Sequence, residues 1–246
     1  MAKGIRLDVA LVQRGLFESR HQAQAAIMAG EVRIDGQVAA KASDPVQEKH
    51  EISLATRSRY VGRGGIKLEG AIEHFRIACE GMTALDIGAS TGGFTDCLLQ
   101  RGASKVFAVD VGHGQLAWKV RQDARVVTLE KTNARRLSRA EIPDPIEICV
   151  IDVSFISLTL ILPSAFDLLT SEGVILALIK PQFELAREEV SRGGIVRSRE
   201  LHEKAQQKIV AFAATLGARV DGLVASSICG ADGNQEFFIC LRKPSV

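Results

Sequence analysis

Cysteine is scarce in this chain and poorly placed for cross-linking. The five residues, Cys79, Cys97, Cys149, Cys229 and Cys240, are odd in number and never spaced as C-x-x-C. That excludes a disulfide framework and a zinc ribbon, implies no metal, and leaves reduced, mostly buried thiols as the expected state. Long hydrophobic runs are also missing. The most apolar stretch, 146–166, is interrupted by Glu147, Asp152 and Pro163, so no membrane-spanning helix is expected. A few basic residues open the chain with no apolar segment behind them, so no secretory signal peptide is read, and a cytoplasmic protein without stable membrane association is expected. Charge of one sign is lacking too: 31 Lys and Arg against 29 Asp and Glu leave a net +2, which by itself names no partner. With 46% hydrophobic and 24% charged residues, the chain is neither disordered nor collagen-like. At about 100–200 residues per domain, its 246 residues fit one large domain or a large one with a small appendage.

Residues 5–54 read as a separate unit. Leu7, Ala10, Leu11 and Val12 have helical spacing and Gly15 stands where that helix should end; Ser19 and Gln22 make a capping box for a second helix ended by Gly30. Then 31–34, the turn pair Asp35-Gly36, and Gln37-Val38 predict a hairpin. The second helix would present Arg20, His21 and Gln22, with Arg14 nearby, as a basic, amide-rich face suited to phosphate, or simply as a solvated face. Four cations, Arg57, Arg59, Arg63 and Lys67, follow within eleven residues, around Tyr60 and Gly62-Arg63-Gly64-Gly65. They predict a flexible cationic joint able to touch a phosphate backbone.

From Met82 on, strand and helix signals alternate: strands over 83–87, 105–109, 126–129, 146–151, 174–179, 220–226 and 236–241, and helices over 93–100, 115–121, 158–169 and 199–216. The expected fold class is α/β with a mostly parallel sheet. Only the short stretch 230–234 joins the last two strands, too short for a crossover helix, so one strand should run antiparallel.

The first of these strands ends in Asp86-Ile87-Gly88-Ala89-Ser90-Thr91-Gly92-Gly93-Phe94, a D-x-G-x-x-x-G-G pattern. Glycines after a first strand let the backbone approach a nucleotide-like ligand at the carboxyl edge of the sheet. Asp110 ends the next strand, where a carboxylate can hold a ribose diol. A dinucleotide would want G-x-G-x-x-G, which is not present, and Asp86 would oppose a pyrophosphate while receiving an ammonium directly or through water; S-adenosylmethionine (SAM) fits better. Asp152 and Lys180 each end an apolar strand, so both should reach the same crevice. A lysine there can take a proton from a hydroxyl, with Lys67 as a second cation and Glu236 to orient a lysine or the substrate.

Two resemblances follow. Residues 6–39, RLDVALVQRGLFESRHQAQAAIMAGEVRIDGQVA, resemble the S4 RNA-binding domain. The segments GRGGIKLEGAI, LDIGASTGGFTDCLL, VFAVDVGHGQL, IDVSFISL, LIKPQFE and NQEFF resemble the TlyA family, which joins an S4 domain to an FtsJ-type ribose 2′-O-methyltransferase. The resemblance implies a Rossmann-like SAM-dependent methyltransferase sheet with an antiparallel last strand, preceded by a small α+β S4 domain: 1–56 RNA-binding, 57–66 a basic linker, 67–246 the methyltransferase. It implies methylation of a cytidine 2′-hydroxyl in ribosomal RNA, within ribosomal subunits or their precursors, by the Lys-Asp-Lys-Glu tetrad Lys67, Asp152, Lys180 and Glu236, with Lys180 as base. Asp86, Gly88, Ser90, Gly92, Gly93, Phe94, Asp110 and Asn133 would hold SAM, and Arg6, Arg14, Arg20, His21, Gln22, Arg33, Arg57, Arg59 and Arg63 would meet RNA. One departure is Gly62 in place of the family's serine, which should loosen the joint. Family members have also been labelled haemolysins, which leaves a membrane-active protein, or an RNA-binding assembly factor without turnover, as rival expectations.

Overall fold

The computed structural model describes residues 4–28, 31–39, 41–54, 59–191, 193–230 and 232–245. The chain divides into two compact units after residue 58. The first contains β1 (Ile5–Arg6), α1 (Leu7–Gln13), α2 (Arg20–Met28), β2 (Val32–Ile34), β3 (Gln37–Val38), β4 (Pro45–Val46) and β5 (Ile52–Leu54). Leu7, Ala10 and Leu11 of α1 and Ala23, Ala26 and Ile27 of α2 recur at helical spacing, and their apolar faces close on Val32 and Val46. Asp35 and Gly36 both take positive φ, 49° and 80°, the mirror-image turn that matches the twist of a two-residue hairpin. The hairpin is not alone: β5 pairs with β2 to make a three-stranded sheet.

The second unit contains α3 (Gly64–Phe75), β6 (Thr83–Ile87), α4 (Gly93–Gln100), β7 (Lys105–Val109), α5 (Trp118–Arg121), β8 (Val126–Leu129), β9 (Ile146–Ile151), α6 (Leu162–Leu168), β10 (Leu169–Ile179), α7 (Pro181–Glu184), α8 (Arg199–Thr215), β11 (Arg219–Ala225) and β12 (Phe237–Arg242). Seven strands form one sheet in the order β11-β12-β10-β9-β6-β7-β8, and β12 runs antiparallel to both neighbours. Because helices cover both faces, the strands are apolar on both sides. Ala84, Val106, Val150 and Leu176 pack under Leu68, Ile72, Phe94 and Leu98 of α3 and α4. Leu85, Phe107, Cys149 and Ile175 pack on the other face, under Leu162, Ala165 and Ile209 of α6 and α8.

Three sequence expectations shift. The helix expected from Gln115 begins only at Trp118. The helix expected over 158–169 divides into a 3₁₀ turn at Leu158–Leu160 and α6, whose first turn takes Pro163, where no backbone N–H is needed. The flexible joint is not found from Arg59 onward. Tyr60 is buried, the Val61 N–H donates to Asp96 Oδ2 at 2.9 Å, and Arg63 donates to the Cys229 carbonyl at 2.8 Å. Gly62 does not loosen this segment: a Cβ there would come within 2.7 Å of Thr91 Oγ1, so glycine allows the close packing.

Candidate functional site

The sheet register sets polar residues in a row along one edge. Val109 lies opposite Ile87, Ile87 opposite Ile151, and Ile179 opposite Phe237. The residues just beyond these pairs are Asp110, Gly88, Asp152, Lys180 and Glu236, on five neighbouring strands; Glu236 joins the row because β12 is antiparallel. Lys180 Nζ lies 2.5 Å from Asp152 Oδ1 and donates to Ser154 Oγ at 2.9 Å. Lys67, in the first turn of α3, donates to Glu236 Oε2 at 2.6 Å, and the two residues are only 8% and 3% exposed. The four tetrad positions thus form two ion pairs. A buried pair is poor ballast for stability, since desolvation offsets most of the attraction, and this one lies at the edge of the sheet that carries the polar row.

A cleft of 370 Å³ opens beside the row, lined by Gly88, Ser90, Asp110, Asn133, Asp152 and Phe155 among others. A smaller recess lined by Gly64, Ala89, Gly93 and Phe94 shares Gly88, Ser90 and Asp152 with it. Asp110 braces the glycine loop, its Oδ2 accepting the Ser90 N–H at 2.7 Å and its Oδ1 the Gly112 N–H at 2.6 Å. Each carboxylate oxygen keeps a lone pair for a diol. Asn133 Oδ1 accepts the Arg135 N–H at 3.1 Å, which leaves its amide N–H groups as donors.

Two expected cofactor contacts are corrected. Gly92 is not among the residues that line the cleft or the recess, and an added Cβ there would come within 2.8 Å of Leu116. Asp86 lies within β6, fully buried beneath the loop, where it accepts a hydrogen bond from Thr95 Oγ1 at 2.6 Å. It therefore has no direct path to a ligand's ammonium. The cause is the two-sided burial of β6: side chains alternate, and that of Asp86 turns under α4. Burial pushes this carboxyl up to about 7, the Thr95 hydrogen bonds opposing and the charges of Asp152 and Asp110 adding to the rise. Between about pH 4 and 7 the folded chain holds a proton that the unfolded chain has lost, so this group's contribution to stability falls as pH rises through that window and levels off above it. Asp86→Asn keeps an acceptor for Thr95 and removes the buried charge. Urea unfolding at pH 5 and pH 8 should show the variant gaining on the parent at pH 8 by a few kcal/mol; an equal difference at both values would refute the assignment.

The residues expected to meet RNA divide. Arg6 and Arg20 both bind buried Asp8, at 3.0 and 2.9 Å, while staying half exposed, so the carboxylate holds two guanidinium groups in place at the surface. Arg14 is a correction: its guanidinium donates to the carbonyls of Gln47, Glu48 and His50. Gln22, although exposed, accepts from the Glu18 N–H at 3.3 Å, and Arg33 donates to the Gly36 carbonyl at 2.9 Å. His21 is exposed. Arg59 pairs with Glu69, Arg63 caps Cys229, and Arg57 lies outside the described residues.

Phe155 went unread in the sequence. It is 90% exposed, takes φ of 63°, and stands at the mouth of the cleft with its ring 5.0 Å from that of Phe183. The available signal was an aromatic in the loop after the charged end of a strand, in I-D-V-S-F.

The FtsJ-like methyltransferase profile matches residues 60–243, and the S4 domain profile matches 5–52. Over 98% of its length the chain is 45% identical to the 16S/23S rRNA (cytidine-2′-O)-methyltransferase TlyA of Mycobacterium tuberculosis, covering 91% of that protein. The chain belongs to the TlyA family of FtsJ-like methyltransferases. Another relative, the Hemolysin A of Brachyspira hyodysenteriae, is 43% identical over 95% of this chain and 98% of its own. A solved structure of a candidate hemolysin from Streptococcus thermophilus superposes with a TM-score of 0.76 at 44% identity, covering all of this chain and 90% of that one. The TlyA-family chain is an enzyme, and its methyltransferase domain contains the whole polar row. Among the described residues no helix is long and apolar enough to cross a membrane.

Proposed function

We propose that the chain transfers the methyl group of SAM to the ribose 2′-hydroxyl of a cytidine in ribosomal RNA, within ribosomal subunits or their precursors, and so works in the cytoplasm. The observation that carries the reading is the row itself: a glycine loop and a diol-binding carboxylate at one end of the edge, two lysine–carboxylate pairs at the other. The name of the M. tuberculosis relative supports the substrate.

The site suits SAM. Asp110 and Asp152 line the cleft, so the surroundings favour a cation. When bound, SAM supplies a methyl group on a positively charged sulfur. Gly88, Ser90, Gly93 and Phe94 would hold its amino-acid end, Asp110 its ribose and Asn133 its adenine side. Lys180, drawn into place by Asp152 and Ser154, gives its ammonium proton to water and, as the neutral amine, takes the 2′-hydroxyl proton at Nζ. Glu236 and Lys67 form the fixed flank on the neighbouring strand and helix, with Glu236 beside Lys180. Most of the rate comes from positioning. A ribose in folded RNA must be brought out to such a cleft, and the exposed Phe155 ring offers its base a stacking face. The first unit docks RNA through Arg6, Arg20 and His21, and the second performs the transfer.

Incubation with radiolabelled SAM and ribosomal subunits from cells lacking the gene, followed by nuclease digestion, tests this. Label is expected in 2′-O-methylcytidine. Label on a base would remove the ribose mechanism, and SAM binding without label on any subunit or precursor would make the chain an assembly factor.

A further inference from the structure

Glu184 is a buried carboxylate that none of the steps above uses. It closes α7, four residues after Lys180, with its side chain 1% exposed. Three donors converge on it: the Leu158 N–H at 2.7 Å on Oε1, and Ser157 Oγ at 2.5 Å and Lys208 Nζ at 2.9 Å on Oε2. Lys208, on α8, also donates to the Glu184 carbonyl at 2.7 Å. The hydrogen bonds tie two catalytic loops together, the one after β9 that carries Asp152, Ser154 and Phe155, and the one after β10 that begins with Lys180.

These loops meet at three successive places. Lys180 holds Asp152 and Ser154, the Phe183 ring packs on Phe155, and Glu184 holds Ser157 and Leu158. The first contact is the reacting one and must stay free to respond to substrate. The second rests on an exposed ring whose backbone lies in the left-handed region. The third gathers three donors on a carboxylate that is 1% exposed, and such charge-assisted hydrogen bonds are short and strong enough to fix a loop.

We infer that Glu184 is a positioning residue for methyl transfer: by clamping the far end of the 152–158 loop to the segment after Lys180, with Lys208 as its counter-charge, it sets the distance between Asp152 and Lys180. This rests on the proposed roles of Asp152 and Lys180. Glu184 touches neither cofactor nor hydroxyl, so its loss should lower kcat and leave binding alone.

The test uses the full chain with Glu184→Ala, Glu184→Gln and Ser157→Ala. Glu184→Ala should lose about a hundredfold in kcat, the scale of an ångström's misplacement at a reacting centre, with SAM affinity and RNA KM within about threefold of the parent. Glu184→Gln, which keeps an acceptor for the Leu158 N–H, should recover a large part of that loss. A role confined to stability would lower the melting temperature of all three and leave kcat of the folded enzyme unchanged, which overturns the inference. Should Glu184→Ala not fold, Ser157→Ala decides, with about a tenfold fall expected and a parental kcat overturning it. Hydrogen exchange over 153–160 gives an answer independent of catalysis. If the parent methylates no RNA, the proposed function fails by itself; the clamp then stands if exchange there is faster in the variants than in the parent, and falls if it is equal.

Discussion

Replacing Lys180 by methionine should lower the rate of methyl transfer in a single turnover about a thousandfold, the middle of the range for loss of a positioned general base, while SAM and RNA still bind. Lys180 suits this test better than Lys67. Lys67 is buried with Glu236, and removing it strands a carboxylate at a cost of about 3–5 kcal/mol, enough to confuse lost folding with lost chemistry. Asp152, the partner of Lys180, lines the open cleft instead, so water can solvate it when the lysine is gone. Lys180→Arg separates two roles. A guanidinium keeps the positive charge beside Asp152 but does not give up its proton in a protein. If the lysine abstracts a proton, the arginine variant should be as slow as the methionine one. Wild-type turnover in Lys180→Arg would make position 180 an electrostatic clamp and remove the base from the mechanism.

The same contrast marks how much of the site was legible in the sequence. Asp110, Asp152 and Lys180 could be read because a charge ending an apolar strand must leave the sheet at its edge, and parallel strands share that edge. Gly88 could be read because a chain leaving a first strand toward a helix must turn sharply. What could not be read was partnership over distance. That Lys67 meets Glu236, 169 positions away, depends on β12 lying antiparallel beside β10 in one register. The sheet order, with β12 between β10 and β11, is likewise a property of the packed layers and leaves no local trace. Arg14, Arg59 and Arg63 looked like phosphate contacts because their acceptors, main-chain carbonyls and Glu69, lie 10 to 166 residues away. Asp86 misled for the opposite reason. Its place in the motif was right, but the alternation of side chains in a strand covered on both faces turned it under α4 and out of the cleft.

Gly88 offers the second large effect, because two separate demands meet there. Its φ of 86° is one that side chains resist, and an added Cβ would lie 2.2 Å from the Asp152 carbonyl oxygen. The first demand alone costs about 1 kcal/mol. The second has no cheap escape, since that oxygen belongs to backbone held by the Asp152 N–H on the Ile87 carbonyl at 2.9 Å. Gly88→Ala must therefore push the ends of β6 and β9 apart by most of an ångström. The expected cost is about 3 kcal/mol in all, in the range for strain with overpacking, or a melting temperature lower by about 6–12 °C for a unit of this size. Because the group displaced is Asp152 itself, kcat should fall about a hundredfold at temperatures where the variant is fully folded. Gly81→Ala is the control. Gly81 has φ of 75°, and a Cβ there meets nothing within 4 Å, so it should lose about 1 kcal/mol and no activity. If calorimetry and turnover place the two variants together, the glycine at 88 serves only the turn. If Gly88→Ala alone loses catalysis, the close approach of the loop to Asp152 is what brings the methyl donor within reach of the lysine.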